Sequence, residues 1–182
     1  MNEKADAQRS SPPGREERFV NVIIQRCLED KGYAARLRRA DNPATEYQSW
    51  EILAAFGVDL AKEYRRLPYA VIGAAIARAK PESNGGLALG RALAAAYEDG
   101  SESAPAKARL RRLLACQDTA EVCRVVRPLL ALITSRVVAP LDYHSLLRQL
   151  LEFGWHPTRI KAAWAQDFYS RPADGEKEEA VA

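Results

Sequence analysis

Apolar positions recur along this chain at the three- and four-residue intervals of amphipathic helices. No segment sustains the alternation of a strand, so the expected fold is all-α. The pattern is cleanest between Ala106 and Arg136. On a first helix there, Leu110, Leu113 and Leu114 form the apolar stripe. At roughly 100° per residue, Arg111 and Arg112 point away from that stripe, with Lys107 and Arg109 on its flanks. On a second helix, Val122, Val125, Val126, Leu129, Leu130 and Ile133 form the stripe, and Arg124 and Arg127 are expected opposite it. Asp118, three residues before Glu121, has the spacing of a capping box. These two are the only acids between Lys107 and Arg127, so the outward charge of both helices is nearly all positive.

The same periodicity predicts a helix at about Glu17–Asp30 with Phe19, Val22, Ile23 and Cys27 inward. Gly32 is expected to interrupt it, before a short helix around Ala34–Ala40 that carries Arg36, Arg38 and Arg39. After the break at Asn42-Pro43, Thr45–Phe56 should bury Trp50, Leu53 and Phe56. A segment Leu60–Arg66 precedes Pro68, which suits the first turn of an alanine-rich helix reaching Lys80. Beyond a loop at Pro81–Gly86, a helix is expected from Leu87 to about Asp99. Pro128 removes a backbone donor inside the second arginine helix and predicts a kink or a restart. Asp142 should cap a helix with Leu146, Leu147, Leu150, Leu151 and Phe153 inward, and a last helix, about Pro157–Tyr169, should bury Ile160, Trp164 and Phe168. The expectation is a compact bundle of about eight helices over 17–170. A polar N-terminal tail (1–16) and an acidic C-terminal tail (171–182) are expected to be disordered.

A length of 182 residues suits one domain with its own core. No apolar run approaches the roughly 20 residues of a membrane span, and the N-terminus lacks an apolar signal-like stretch, so a cytoplasmic location is expected. Residues 18–171 hold 23 Lys and Arg against 16 Asp and Glu, and arginine greatly outnumbers lysine among them. Arginine presents phosphate with a planar fork of donors where lysine presents a point charge. Cys27, Cys116 and Cys123 are odd in number and contain no Cys-x-x-Cys pair, so they read as reduced, structural thiols. Gly85–Gly90 has the glycine density of a phosphate loop, but neither a Lys-Ser/Thr pair nor a preceding strand goes with it. A helix starting at Leu87 would still offer a phosphate its N-terminus, with Arg91 one turn in. His144 and His156 have no ligand at metal-site spacing and Ser145 has no base, so no metal, cofactor or catalytic constellation is expected. Trp50, Trp155 and Trp164 lie on or beside apolar stripes and read as core.

Four segments can now be set side by side: ARLRRAD at 35–41, GGLALGRAL at 85–93, RLRRLL at 109–114, and LDYHSLLRQLLEFGWHPTRIKAAWAQDFY at 141–169. Their order and separation resemble the CasB family, the small subunit of the type I-E CRISPR surveillance complex Cascade, over roughly residues 18–169. The resemblance implies a non-catalytic helical subunit that sits as a head-to-tail pair with a second copy of itself, against the crRNA-bearing backbone and the large subunit. It also implies contact with the crRNA–target hybrid and the displaced non-target strand of an R-loop, with sequence left to base pairing. Carried onto matching positions, it points to Arg38, Arg39, Arg91, Arg111 and Arg112 as phosphate ligands, with Arg127 in the following helix. Expected exposure adds Arg66, Lys107, Arg124, Arg148 and Arg159. A helical adaptor whose arginines pair with acidic protein surfaces stays open as the alternative.

Overall fold

Over the described residues, 14–170 of a computed structural model, these periods close into nine α-helices with three short 3-10 segments and no sheet. In chain order they are α1 (Arg15–Glu29), α2 (Lys31–Arg38), α3 (Trp50–Ala55), α4 (Glu63–Ala79), α5 (Leu89–Ala95), α6 (Ala104–Ala115), α7 (Thr119–Arg136), α8 (Tyr143–Glu152) and α9 (Pro157–Tyr169). The tails expected at 1–16 and 171–182 lie outside the described residues, except for residues 14–16, where α1 already begins.

Helix α4 is buried at every position from Leu67 to Ala77, as a helix apolar on all sides must be. It packs against α1, α2, α7 and α8. Small residues permit that crowding: a methyl group added at Gly73 would sit 3.0 Å from Leu37 Cδ2 and 3.5 Å from Phe19 Cζ. Phe19 meets Phe56 and Tyr69 edge-on, at centroid distances of 5.0 and 4.9 Å. Residues 60–66 and the alanine-rich helix, expected as separate pieces, join at Glu63, and Pro68 lies inside α4 rather than in its first turn. Its fixed φ is helical, and the carbonyl four residues back, on Tyr64, loses its donor. Pro128 likewise sits within an uninterrupted α7, so the expected restart does not occur.

Three other expectations shift. Gly32 does not break the chain; the break is at Asp30, whose Oδ1 accepts from the Gly32 and Tyr33 amides at 2.7 and 2.9 Å and so caps α2. Helix α1 buries Val20 and Ile24 and leaves Val22 only partly covered. The expected helix at 45–56 is a 3-10 segment, Glu46–Ser49, running into the short α3, which buries Ile52 and Leu53 in place of Trp50 and Phe56.

Gly85 and Gly90 of GGLALG are there for packing. Gly85 and Leu87 run beside Pro140–Asp142, with Gly85 N donating to Leu141 O at 3.0 Å and Asp142 N to Leu87 O at 3.0 Å. The Leu87 amide is spent on Pro140 O, and α5 begins at Leu89, so no helix N-terminus stands at Leu87. Gly90 is where α5 crosses α9: a methyl group there would overlap the Trp164 carbonyl and lie 2.8 Å from the Phe168 amide nitrogen. Gly90→Ala is therefore expected to lower stability in urea by about 1–3 kcal/mol through overpacking. Gly86→Ala, with open space around the new methyl group, should stay within about 0.5 kcal/mol.

All three thiols are buried and free. Burial pushes Cys27 up to about 11 and Cys123 up to about 12, and pushes Tyr33, Tyr69 and Tyr143 up to about 12. The unfolded chain therefore releases these protons first as pH rises. The stability this confers is whole below pH 9.0, where an unshifted thiol titrates, and is lost as pH climbs through the folded values. Denaturation midpoints measured from pH 8 to 11 should fall steadily above pH 9, with the thiols unreactive to iodoacetamide in the folded chain at pH 8.

Candidate nucleic-acid interface

Helix α6 starts at Ser103, whose Oγ accepts from the Ala106 amide, and buries Ala106, Leu110 and Leu113. That stripe leaves Arg111 and Arg112 exposed, as expected. Arg111 Nε reaches the Lys107 carbonyl at 3.3 Å, Lys107 pairs with Glu102 at 2.8 Å, and Arg109 donates to the Tyr97 hydroxyl at 2.6 Å. Asp118 caps α7 through the Glu121 amide at 2.8 Å. Glu121 Oε2 returns to the Gln117 amide at 2.8 Å, one residue earlier than a capping box places it.

On α7, Arg124 is exposed but Arg127 turns inward. Arg127 lies about 40° around the helix from the buried Cys123 and about 60° from Arg124, at the edge of the buried stripe, so its side chain folds in while that of Arg124 stays outside. Arg127 Nη2 lies 3.7 Å from Glu46 Oε2, and Nη1 donates to the Asp41 carbonyl at 3.4 Å. Its Nε and Nη2 are buried without a hydrogen-bond acceptor. Arg66 is drawn in by the same carboxylate: Nε meets Glu46 Oε1 at 2.5 Å, and Nη1 donates to Leu60 O at 2.6 Å. Glu46 is 5% exposed, so Arg66 and Arg127, both expected on open faces, are held by one buried acid. Arg78 pairs with Asp41 beside them. Two arginines and a carboxylate thereby tie the 39–49 segment to α4 and α7.

The rest of the expected set stays outward. Arg38 is exposed and touches the Ala77 carbonyl at 3.5 Å, and Arg39 is exposed on the Gln48 side-chain oxygen at 2.5 Å. Arg91 is exposed on α5 and donates to Ser170 Oγ at 3.0 Å; Arg148 is exposed on α8. Arg159 pairs with Glu152 at 2.5 Å. Arg124 lines a cavity of about 700 Å³ together with Arg66, Arg127, Asp41 and Trp50. Arg111 and Arg112 are outside its walls, so these arginines do not converge on a single pocket.

The tryptophans divide. Trp164 is fully buried, stacked on Phe153 at 5.8 Å with its Nε1 on Gln149, as expected. Trp50 and Trp155 are not core: they are 37% and 57% exposed, under the guanidiniums of Arg66 and Arg65 respectively. His144 Nε2 is 3.0 Å from Asn21 Oδ1, and among the described residues no three His, Cys, Asp or Glu side chains group as a metal site would need. No helix among them is long and apolar enough to cross a membrane.

A family model for CRISPR-associated protein Cse2 matches residues 33–169, a span that holds all four motif segments and every outward arginine named above. The chain belongs to the Cse2 family. No curated protein sequence matches it. Its fold is similar to the crystal structure of CasB from Thermus thermophilus, with TM-score 0.64 and 25% identity over 88% of this chain and 99% of that one. It is also similar to M. ruber CasB, with TM-score 0.66 and 22% identity over 87% and 94%. A chain of a structure described as a CRISPR RNA-guided surveillance complex matches with TM-score 0.62 and 22% identity over 85% and 89%. Within this Cse2-family chain the match starts in α2, so α1 and its arginines stand outside it.

Removing the shared carboxylate tests the division between inward and outward arginines. Glu46→Ala takes the shared carboxylate from two half-buried guanidiniums and is expected to cost about 3 kcal/mol in urea unfolding. Arg111→Ala with Arg112→Ala, on the exposed face, should change stability by no more than about 0.5 kcal/mol per site.

Proposed function

We propose that this chain is a non-catalytic small subunit of a Cascade-type, RNA-guided CRISPR surveillance complex, and that its outward arginines hold nucleic-acid phosphates. The observation that carries this reading is the Cse2 match over 33–169 coinciding with Arg38, Arg39, Arg91, Arg111, Arg112, Arg124 and Arg148 standing exposed on packed helices. Lys107 joins them only by giving up Glu102. Arg66 and Arg127 act one step behind, by bracing the segment that presents Arg38 and Arg39. The ligands are the crRNA–target hybrid and the displaced strand, and the neighbours are the backbone and large subunits and a second copy of the chain.

The chemistry suits that work. Guanidinium groups on rigid helices recognise backbone charge and give register without reading bases, which base pairing with the guide does instead. Seven phosphate contacts predict a log–log salt slope of about −5 to −6 for the full chain on DNA, and Arg111→Ala with Arg112→Ala should flatten it by about 1.5–2. Fluorescence anisotropy across a salt series measures both. Salt-independent binding, or binding that depends on base sequence alone, would overturn the reading.

The adaptor alternative has its own observation: Lys107 and Arg159 already prefer carboxylates of this chain. A stable complex without nucleic acid, in which Arg111 and Arg112 are buried on a partner's acids, would favour it.

A further inference from the structure

A groove of about 680 Å³ between α1, α2 and α3 has four arginines among its eleven lining residues. Arg15, Arg18 and Arg26 come from α1 and Arg36 from α2, and all four are exposed. Arg15 and Arg26 are eleven residues apart on one helix, about three turns and about 16 Å, so they share a face; Arg18 lies one turn from Arg15. Val22, Ile52 and Phe56 supply the apolar part of the lining.

The fold holds these guanidiniums in place. Arg15 Nη1 donates to the Gly57 carbonyl at 3.4 Å, tying the start of α1 to the end of α3. Arg26 and Arg36 stand 5.3 and 5.9 Å from the Tyr33 ring, which is 7% exposed and so acts as a fixed post between them. Among the described residues none of the four takes part in an ion pair. The groove's acids are Asp30 and Glu51, and Asp30 is engaged as the cap of α2. Four guanidiniums against two carboxylates leave the concavity with a net positive charge, which focuses a positive field in it.

We propose that this groove is a second binding site for the phosphodiester backbone of a nucleic acid, separate from the α6–α7 arginines. It rests on the proposed function and extends it to another face. Helix α1 packs on α2, α4 and α8, whereas α6 packs on α5, α7 and α9, so the two share no principal neighbour. It also extends beyond the family match, since Arg15, Arg18 and Arg26 precede residue 33. A phosphodiester strand carries a charge on every unit and can follow a line of arginines along a helix, each of which can bind phosphate in a bidentate fork.

The test uses the full chain, a labelled oligothymidine and a salt series. Arg18→Ala with Arg26→Ala should weaken binding and flatten the salt slope by about 1.4, additively with Arg111→Ala and Arg112→Ala. Glu51→Gln, which removes the groove's uncommitted acid, should tighten binding at low salt, with the gain disappearing as salt rises. If both groove variants bind as the wild type does while the α6 variant weakens, the groove proposal falls and the first interface stands. If the folded wild-type chain binds no oligothymidine even at low salt, both fall. Competition by polyglutamate as effective as that by inorganic polyphosphate, and lost in the Arg18/Arg26 variant, would assign the groove to acidic protein and overturn the proposal.

Discussion

Helix α4 is covered on every side from Leu67 to Ala77, and α1, α2, α7 and α8 are arranged by which part of it they cover. Its alanines and Gly73 give little side-chain volume, so neighbouring backbones must come close, and large residues such as Phe19 and Leu37 complete the packing from outside. Each amphipathic helix then has one way to face. Its apolar stripe goes toward α4, or into the second layer in which α5 and α6 pack on α7 and α9 packs on α5 and α6, and the opposite charged face goes to solvent. Exposure of Arg111, Arg112 and Arg148 follows from burial of Leu110, Leu113, Leu147 and Leu150 more than from any property of arginine.

Arginine thus occupies two physical settings in this protein. Outward, it is hydrated and available to a phosphate. Inward, at Arg66 and Arg127, it shares Glu46, and Arg127 keeps two nitrogens without acceptors. Such a buried pair contributes little net stability, yet losing one member is costly, because the charges left behind have no water. Its effect here is positional: the irregular 39–49 segment, with few apolar contacts of its own, is held to α4 and α7 through that carboxylate. Arg39 begins that segment and Arg38 ends α2 just before it, so an ion pair helps set where a surface charge stands.

Much of this was legible in the chain. Apolar periods are local, and α8 and α9 have the expected inward residues because each has one clean stripe and its own cap or proline at the start, whereas on α6 Leu110 and Leu113 are buried and Leu114 is only partly covered. The caps at Asp118 and Asp142 were legible for the same reason, since a side chain bonding an amide three residues on needs nothing from elsewhere. Where the reading shifted, the deciding partner was distant. Pro68 and Pro128 tolerate helix because the packing of their helices, through the buried residues beside each proline, outweighs one lost hydrogen bond each. Gly85 and Gly90 are small because Pro140 and Trp164 press on them, not because a phosphate does. Trp155 stays exposed, edge-on to Tyr64 and under Arg65, two partners some ninety residues earlier in the chain.

The all-α class, the bounds of α8 and α9, the arginine-rich surface and the motifs of the Cse2 family can be read from the sequence alone, since all of these are carried by spacings of a few residues. Only the tertiary structure decided which arginines are surface and which are internal. Arg127 and Arg124 are three residues apart and alike in type, and they separate because Glu46, some eighty residues earlier in the chain, lies on one side of α7 and not the other. It likewise decided that Arg15, Arg18, Arg26 and Arg36 line one groove, because the angle between α1 and α2 is set by their joint packing on α4 and by no local signal. Charge is read from composition, but where a charge ends up depends on long-range contacts.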